Sequence, residues 1–257
     1  MNSKKRIHLR LVLIFILNIL VNPVVFNHQV VAQDKKIVLA TDPWPPFYGP
    51  DIKNGGYLTE IVKESFKRVG YDCKVEFVPW KRAVDEAKKG RYDGLLGAFY
   101  TEDRLKDFKY SEPVTESQLV FFSKKGRDIP YKKLEDLSQY KIGVIGGYQY
   151  SEEFDAAEYL YKEEVPKVEQ NIKKVIADRI DIFIDSKEVV LYLLRTTLSD
   201  YNGLLEMIDP PYKINQLYIP ISKKVTNYEQ IVHDFNRGLS MIREDGTYDN
   251  IMKNRGF

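Results

Sequence analysis

Two spacings of apolar residues alternate along the chain. Short apolar runs, as in a buried strand, are followed by stretches in which apolar residues recur every three or four positions, as on one face of a helix. The first five predicted elements, alternating strand and helix, cover residues 37–40, 58–69, 73–78, 80–87 and 95–99. Gly70 and Gly90 follow the two helices as caps, and Pro79 opens the second one. This order predicts an α/β unit with a parallel sheet and crossover helices.

A second α/β unit follows the first. Its predicted elements are strands at 141–145, 167–169 and 182–184 and helices at 151–161, 171–177 and 187–195. Extended stretches at 119–123 and 216–221 lie on either side of this unit, and a last amphipathic helix, from Tyr228 to Ile242, is expected to pack back on the first unit. The chain would then cross twice between two lobes. Two lobes joined by two strands make a hinge, with a ligand cleft between them.

These boundaries assign residues 33–120 and 218–257 to lobe 1 and residues 121–217 to lobe 2. The hinges are expected near 119–123 and 216–221. The lobes are preceded by a segment, residues 1–32, with a different composition. It begins with MNSKKRIHLR, continues with the apolar run LVLIFILNIL, and ends with Val30-Val31-Ala32. This pattern is typical of a secretory signal peptide cut after Ala32. The alternative is a membrane anchor, but Asn18, Asn22 and Pro23 leave the run short for a span of about 20 residues.

Charge and composition exclude several classes of function. The chain of 257 residues has 39 basic and 37 acidic residues, and four of the basic ones lie in residues 1–32, which contain no acid. The remaining 35 basic and 37 acidic residues carry a net charge of −2, unlike the basic surface of a nucleic-acid binder. His233 and Cys73 are the only histidine and cysteine after residue 32, so neither a His-rich metal site nor a disulfide framework is expected.

Arg104 is the first candidate for ligand binding. It follows the predicted strand at 95–99, and ligands of open α/β sheets bind outside the carboxyl ends of strands. A guanidinium there can grip a carboxylate through two parallel hydrogen bonds. The alternative is a surface arginine that pairs with Glu102 or Asp107.

Asp185 occupies the equivalent position in the second unit, directly after the apolar strand at 182–184. A carboxylate there could accept hydrogen bonds from a ligand ammonium. The alternative is that Asp185 caps the helix that follows. With Arg104 on one cleft wall and Asp185 on the other, the pair would suit a zwitterion.

Aromatic residues occur at comparable places, namely Trp44 in a proline-rich loop after the first strand, Trp80 at a helix start and Phe99 at a strand end. Flat apolar walls around a few polar groups are typical of small-ligand pockets. The alternative is that these rings belong to a lobe core, which fits Phe47 best.

At this point the chain resembles the bacterial extracellular solute-binding protein family 3 over essentially all of residues 35–257. The segments that carry the resemblance are TDPWPPF (41–47), PWKRA (79–83), GRYDG (90–94), TEDR (101–104), RIDIFID (179–185) and EDGTYDNI (244–251). The resemblance implies a two-lobed type II periplasmic-binding-protein fold. It implies that Arg104 holds a ligand carboxylate, that Asp185 holds an ammonium, and that Trp44 and Trp80 sandwich the ligand. Phe99 and Tyr148, also expected at the ligand, replace hydroxyl-bearing residues that well-characterised amino-acid binders usually have.

The function that the resemblance implies is capture of a small polar solute, with an amino acid as the expected ligand, and its delivery to the permease of an ABC-type importer. We expect a periplasmic monomer with no cofactor, no metal and no catalytic residue. Two alternatives remain open, namely a ligand-sensing partner of a membrane receptor and a cyclohexadienyl-dehydratase-like enzyme. The enzyme would need an acid or base, for which Asp42, Asp185 and Glu188 are the candidates.

The signal peptide gives the first testable prediction. Because compact residues stand at the minus-three and minus-one positions before Gln33, the exported protein should begin near Gln33. N-terminal sequencing of exported protein checks this. An exported chain that begins at Met1 would contradict it.

Overall fold

Two separate β-sheets organise the part of the chain that the structure describes. The computed structural model describes residues 35–148 and 150–255, so the predicted signal peptide lies outside the described residues. The first sheet has the strand order β2-β1-β3-β11-β5 and the second has the order β4-β10-β6-β9-β7-β8. The strands are β1 (Lys35–Thr41), β2 (Tyr71–Phe77), β3 (Gly94–Leu95), β4 (Ala98–Phe99), β5 (Phe108–Tyr110), β6 (Thr115–Lys124), β7 (Lys141–Ile145), β8 (Tyr161–Val165), β9 (Ile182–Ser186), β10 (Leu205–Tyr218) and β11 (Pro220–Ser222).

Helices pack on both sheets. They are α1 (Tyr57–Arg68), α2 (Trp80–Lys88), α3 (Glu152–Ala156), α4 (Val168–Ile176), α5 (Lys187–Arg195), α6 (Tyr228–Glu244) and α7 (Thr247–Lys253), with shorter 3-10 turns that include Glu102–Lys106. Within this part of the chain, no helix combines the length and the apolar composition needed to cross a membrane. The prediction of an α/β fold with two α/β units is confirmed by the two sheets and their helices.

Both sheets are mixed. β1 pairs in parallel with β2 and β3, and β7 pairs in parallel with β8 and β9, as alternating strands and helices predict. The remaining strands add antiparallel neighbours: β11 joins the first sheet, while β6 and β10 pair along much of their length in the second. The chain passes from the first sheet to the second between β3 and β4, returns between β4 and β5, passes again between β5 and β6, and returns between β10 and β11. The lobe boundaries and hinge positions stay a prediction.

The core of the first unit forms where α1 and α6 meet. Phe66 of α1 and Phe235 of α6 are fully buried, with ring centroids 4.9 Å apart. The predicted packing of the last helix on the first unit is therefore confirmed. Gly238 allows the two helices to approach, because a Cβ at that position would lie 2.0 Å from the Ser65 carbonyl oxygen.

The second sheet is buried on both faces. Side chains of a strand alternate between the two faces, and β6 follows this rule with apolar residues at successive positions. Phe121 packs in one cluster with Ile184, and Phe122 packs in another, where its ring stacks on Phe183 at 5.0 Å. This explains why the strand sequences of this unit read as unbroken apolar runs.

Three sequence predictions are wrong in detail. The strand predicted at 95–99 is split into β3 and β4, which belong to different sheets, because Gly97 between them adopts a positive φ of 74°. The helix predicted at 151–161 ends after Ala156, since Ala157 is extended, and the chain then forms β8. The strand predicted at 167–169 is instead the start of α4, with Lys167 at its N-cap.

The α1–α6 contact gives the second prediction. Glycine to alanine inside a helix normally stabilises it by about 1 kcal/mol. In Gly238→Ala, however, the new methyl group would meet the Ser65 carbonyl and push the helices apart, and overpacking of this kind costs about 1–3 kcal/mol. Urea denaturation should therefore show a lower free energy of unfolding than for the wild type.

Ser240→Ala is the matched control, because Ser240 lies on the exposed side of the same helix. Its free energy of unfolding should stay within about 0.5 kcal/mol of the wild type. A Gly238→Ala protein as stable as this control would show that the helices do not touch there.

Candidate functional site

One cavity of about 480 Å³ contains all six residues that sequence reasoning selected. They are Trp44, Trp80, Phe99, Arg104, Tyr148 and Asp185. The volume lies within the range of about 300–1,000 Å³ that small-molecule sites occupy. The structure thus brings these residues together from both sheets, while their roles in ligand binding stay a prediction.

The aromatic wall is built around Trp44. Its ring stacks on the buried Phe47 with centroids 4.3 Å apart and meets Phe99 edge-on at 5.9 Å. The loop that holds it is closed by two backbone hydrogen bonds between Trp44 and Tyr48. Phe47 belongs to the core, as predicted, and Trp44 and Phe99 present their outer faces to the cavity.

Arg104 is held at the mouth of the cavity by a backbone contact and an aromatic ring. Its Nη1 donates a hydrogen bond to the Phe99 carbonyl oxygen at 2.9 Å, and its guanidinium lies over the Trp80 ring at 5.4 Å. Asp107, which the sequence offered as a partner, instead pairs with Lys88 at 3.4 Å. The guanidinium is thus oriented on the cavity wall with donors left for a ligand.

Asp185 is a buried residue at the second-last position of strand β9, two positions before α5 begins. Its Oδ1 accepts a hydrogen bond from the Ser186 N–H at 2.7 Å. Burial is the main cause that raises the pKa of Asp185 from 3.8 to about 7, against the lowering effect of that hydrogen bond. The N-cap of α5 is Ser186, so the helix-cap alternative for Asp185 is wrong.

Tyr148 follows a turn in which Gly147 has a φ of 80°. The side chain is 58% exposed and stands at the rim of the cavity. Partial burial, followed by the negative charges of Asp185 and Asp42, raises the pKa of Tyr148. Both carboxylates line the same cavity as this ring.

The sequence did not single out several polar residues of the wall. They are Ser117, Tyr150, Ser186 and Asn215. Asp42, which the sequence offered only as an acid or base for an enzyme, also lines the cavity, and it directly follows β1. Burial raises the pKa of Asp42, against its backbone hydrogen bond. Ser117 and Asn215 are opposite each other on β6 and β10, a pairing that depends on a register the sequence does not show.

The buried Asp185 carboxylate gives the third prediction. A carboxyl whose pKa is higher in the folded than in the unfolded protein makes stability fall as the pH rises between the two values, here from 3.8 to about 7, and level off above. Asp185→Asn keeps an oxygen for the Ser186 N–H and removes this loss. The variant should therefore gain stability over the wild type with rising pH, by about 1.4 kcal/mol per unit of pKa shift.

Thermal unfolding of the unliganded proteins between pH 4 and pH 8 checks this. Asp103→Asn, a change at an exposed carboxylate, serves as control and should track the wild type at every pH. A constant difference between Asp185→Asn and the wild type across the range would contradict the raised pKa.

The chain is similar in sequence to a family of known proteins and to two characterised relatives. The sequence model of the family described as "Bacterial extracellular solute-binding proteins, family 3" matches residues 37–254. The chain is 28% identical over 240 residues to an arginine-binding periplasmic protein of Mannheimia haemolytica, covering 88% of this chain and 93% of that protein. It is 22% identical over 211 residues to the L-cystine-binding protein TcyJ of Escherichia coli strain K12, covering 79% and 76%.

A solved structure of similar fold is that of AbpA from Streptococcus pneumoniae, an amino acid ABC transporter substrate-binding protein bound to L-arginine. The TM-score is 0.65 at 19% identity, with 86% of this chain and 94% of that chain covered. The fold is thus the two-lobed type II fold of periplasmic binding proteins. The family match spans nearly all of the described residues, and the chain belongs to the bacterial extracellular solute-binding proteins, family 3.

Proposed function

We propose that this protein captures a free α-amino acid in the cavity between its two sheets and delivers it to an ABC-type importer. The observation that carries the proposal is the presence of Arg104 and Asp185 on the wall of one cavity. One group is cationic and comes from the segment after β4, and the other is acidic and comes from the end of β9. A ligand that balances the charge of both groups carries an anion and a cation.

The roles follow from the chemistry of the two groups. The guanidinium of Arg104 can bind a carboxylate through two parallel hydrogen bonds, and its contact with Trp80 limits its rotation. Asp185 is buried, so an ammonium that reaches it would replace water that burial has removed. Trp44, Phe99 and Tyr148 would pack against the carbon chain of the ligand.

The presence of Asp42 on the cavity wall favours an amino acid with a basic side chain as the ligand. With Asp185 it gives the cavity two acidic groups against the one guanidinium of Arg104. A ligand with an α-carboxylate, an α-ammonium and a second cation would balance these charges. The relative from Mannheimia haemolytica is an arginine-binding protein, so L-arginine is the first ligand to test.

Binding without turnover is the form of the function that we propose. Of the three acids considered for an enzyme, Glu188 does not face the cavity: its carboxylate lies behind Ser117 and Ser186 and accepts their hydrogen bonds. The relatives named above are binding proteins. The periplasm as location, the cleaved signal peptide, the permease partner, the monomeric state and the two-strand hinge belong to the same proposal.

The two ends of the ligand give the fourth prediction. Removing one partner of a buried charged contact costs about 2–5 kcal/mol, which corresponds to roughly thirtyfold to several thousandfold in affinity. Arg104→Ala and Asp185→Ala should each weaken binding of the amino acid by that order. Calorimetry with the twenty common L-amino acids and L-cystine identifies the ligand first.

Two analogues of the ligand assign each end. For L-arginine they are agmatine, which lacks the carboxylate, and 5-guanidinopentanoic acid, which lacks the α-ammonium. Agmatine should bind wild type and Arg104→Ala with similar weak affinity, and 5-guanidinopentanoic acid should do the same for wild type and Asp185→Ala. If 5-guanidinopentanoic acid binds the wild type as tightly as L-arginine, the amino-acid proposal fails.

A further inference from the structure

Two serine hydroxyls on the cavity wall are hydrogen-bonded to a buried glutamate that lies behind the wall. Ser117 of β6 and Ser186 at the end of β9 are buried, with their Oγ atoms 2.9 Å apart. Ser186 Oγ lies 2.9 Å and Ser117 Oγ 3.4 Å from Oε2 of Glu188, which stands in the first turn of α5. These three side chains form the Glu188 relay.

The direction of the hydrogen bonds in the relay follows from the Gln118 backbone. The Gln118 N–H reaches the same Oε2 atom at 3.2 Å. Since a backbone N–H can only donate, Oε2 acts as an acceptor in this arrangement. The hydroxyl of Ser186 therefore points its proton at Glu188.

The single proton of Ser117 is then also committed. It has two acceptors on the relay side, Ser186 Oγ at 2.9 Å and Glu188 Oε2 at 3.4 Å. Whichever of the two it uses, the proton is engaged within the relay. What Ser117 Oγ presents to the cavity is its lone pairs, so it can accept a hydrogen bond from a ligand there.

Ser117 and Asp185 lie on neighbouring strands, and both line the ligand cavity. Leu119 of β6 is paired with Ser186 and Val120 with Asp185. Ser117 and Leu119 are two positions apart and share a face of the strand, and both line the cavity. The Ser186 N–H that holds the Asp185 carboxylate belongs to the same residue whose hydroxyl is in the relay.

We propose that Ser117 Oγ is a second acceptor for the α-ammonium of the ligand, and that Glu188 is the positioning residue that fixes it in this form. The inference rests on the proposed function and deepens it. It makes the ammonium end of the cavity a set of acceptors, formed by Ser117 and Asp185. Such a set favours a ligand that donates several hydrogen bonds from one nitrogen.

Glu188 acts through the serines and not by direct contact. Glu188 lines a separate cavity of about 490 Å³, together with Gln118, Lys187 and Arg243. Ser117 and Ser186 line the ligand cavity instead. The relay therefore forms part of the partition between the two cavities, and a change at Glu188 reaches the ligand through the orientation of two hydroxyl protons.

The measured quantity in the test is the ammonium preference, defined as the ratio of the Kd of 5-guanidinopentanoic acid to that of L-arginine. Calorimetry on the purified full-length protein gives both constants. Ser117→Ala removes the proposed acceptor, and the preference should fall about tenfold, the order expected for one hydrogen bond to a charged group. Ser123→Ala, another buried serine of β6 outside the cavity, should leave it unchanged.

Glu188 is tested by a pair of variants of similar size. Glu188→Gln keeps a carbonyl oxygen for the Gln118 N–H and for Ser186, so the preference should stay within about twofold of the wild type. Glu188→Leu removes the acceptor and frees both hydroxyls, so the preference should fall at least about threefold. In the Ser117→Ala background, Glu188→Leu should cause no further fall, since the two changes act on one contact.

The outcomes separate the two proposals. A wild type that binds both compounds equally contradicts the proposed function, and the relay falls with it. A wild type with a clear preference that Ser117→Ala leaves within twofold overturns the relay alone, as does a Glu188→Gln protein that loses as much preference as Glu188→Leu. If Glu188→Leu does not fold, Ser117→Ala and Glu188→Gln still decide.

Discussion

The chemistry of the cavity depends on one carboxylate, that of Asp185, which the fold keeps out of water. Asp185 is the second-last residue of a strand whose five residues are all buried, and the sheet around it is covered on both faces. A group in this place loses hydration, which is why its pKa is raised, and one backbone N–H restores only part of the loss. The ligand-free protein thus holds a poorly solvated acid at the point where a cation would stabilise it most. The proposed affinity for an ammonium and the expected loss of stability of the empty protein would have the same physical origin.

The predictable part of the fold is the part in which local pattern and tertiary packing agree. In α1 and α6 the apolar residues recur at helical spacing, and the same residues form the core between the helices. At Gly97 they disagree: the run at 95–99 has the composition of one strand, but a Cβ at Gly97 would lie 2.3 Å from the Tyr48 ring, and the backbone turns there. The sequence shows Gly97 and Tyr48, but it does not show that the tyrosine ring packs against the glycine.

The residues of the site also fall into some that the sequence could identify and others that it could not. Arg104 and Asp185 could be chosen because a charged residue at the carboxyl end of an apolar strand is visible in the sequence. The Glu188 relay could not be found, because Ser117 and Ser186 are 69 positions apart and meet only through the antiparallel pairing of β6 with β9. Serine is also a common strand and turn residue, so neither position stands out by type. Polar groups that are brought together by strand register can be identified only from a structure.

The two kinds of group differ in what they can discriminate. A carboxylate such as Asp185 attracts any cation that reaches it, because its charge acts over several ångströms and with little dependence on angle. A hydroxyl with a fixed proton acts only over hydrogen-bond distance and accepts only from a donor aimed at its lone pairs. Ser117 therefore adds direction to the attraction that Asp185 supplies. Ser117 lies on β6 and Asp185 on β9, and both line the cavity that Arg104 and the aromatic wall also line. In the proposed arrangement, a ligand nitrogen that contacts both would be fixed in position relative to Arg104 and that wall.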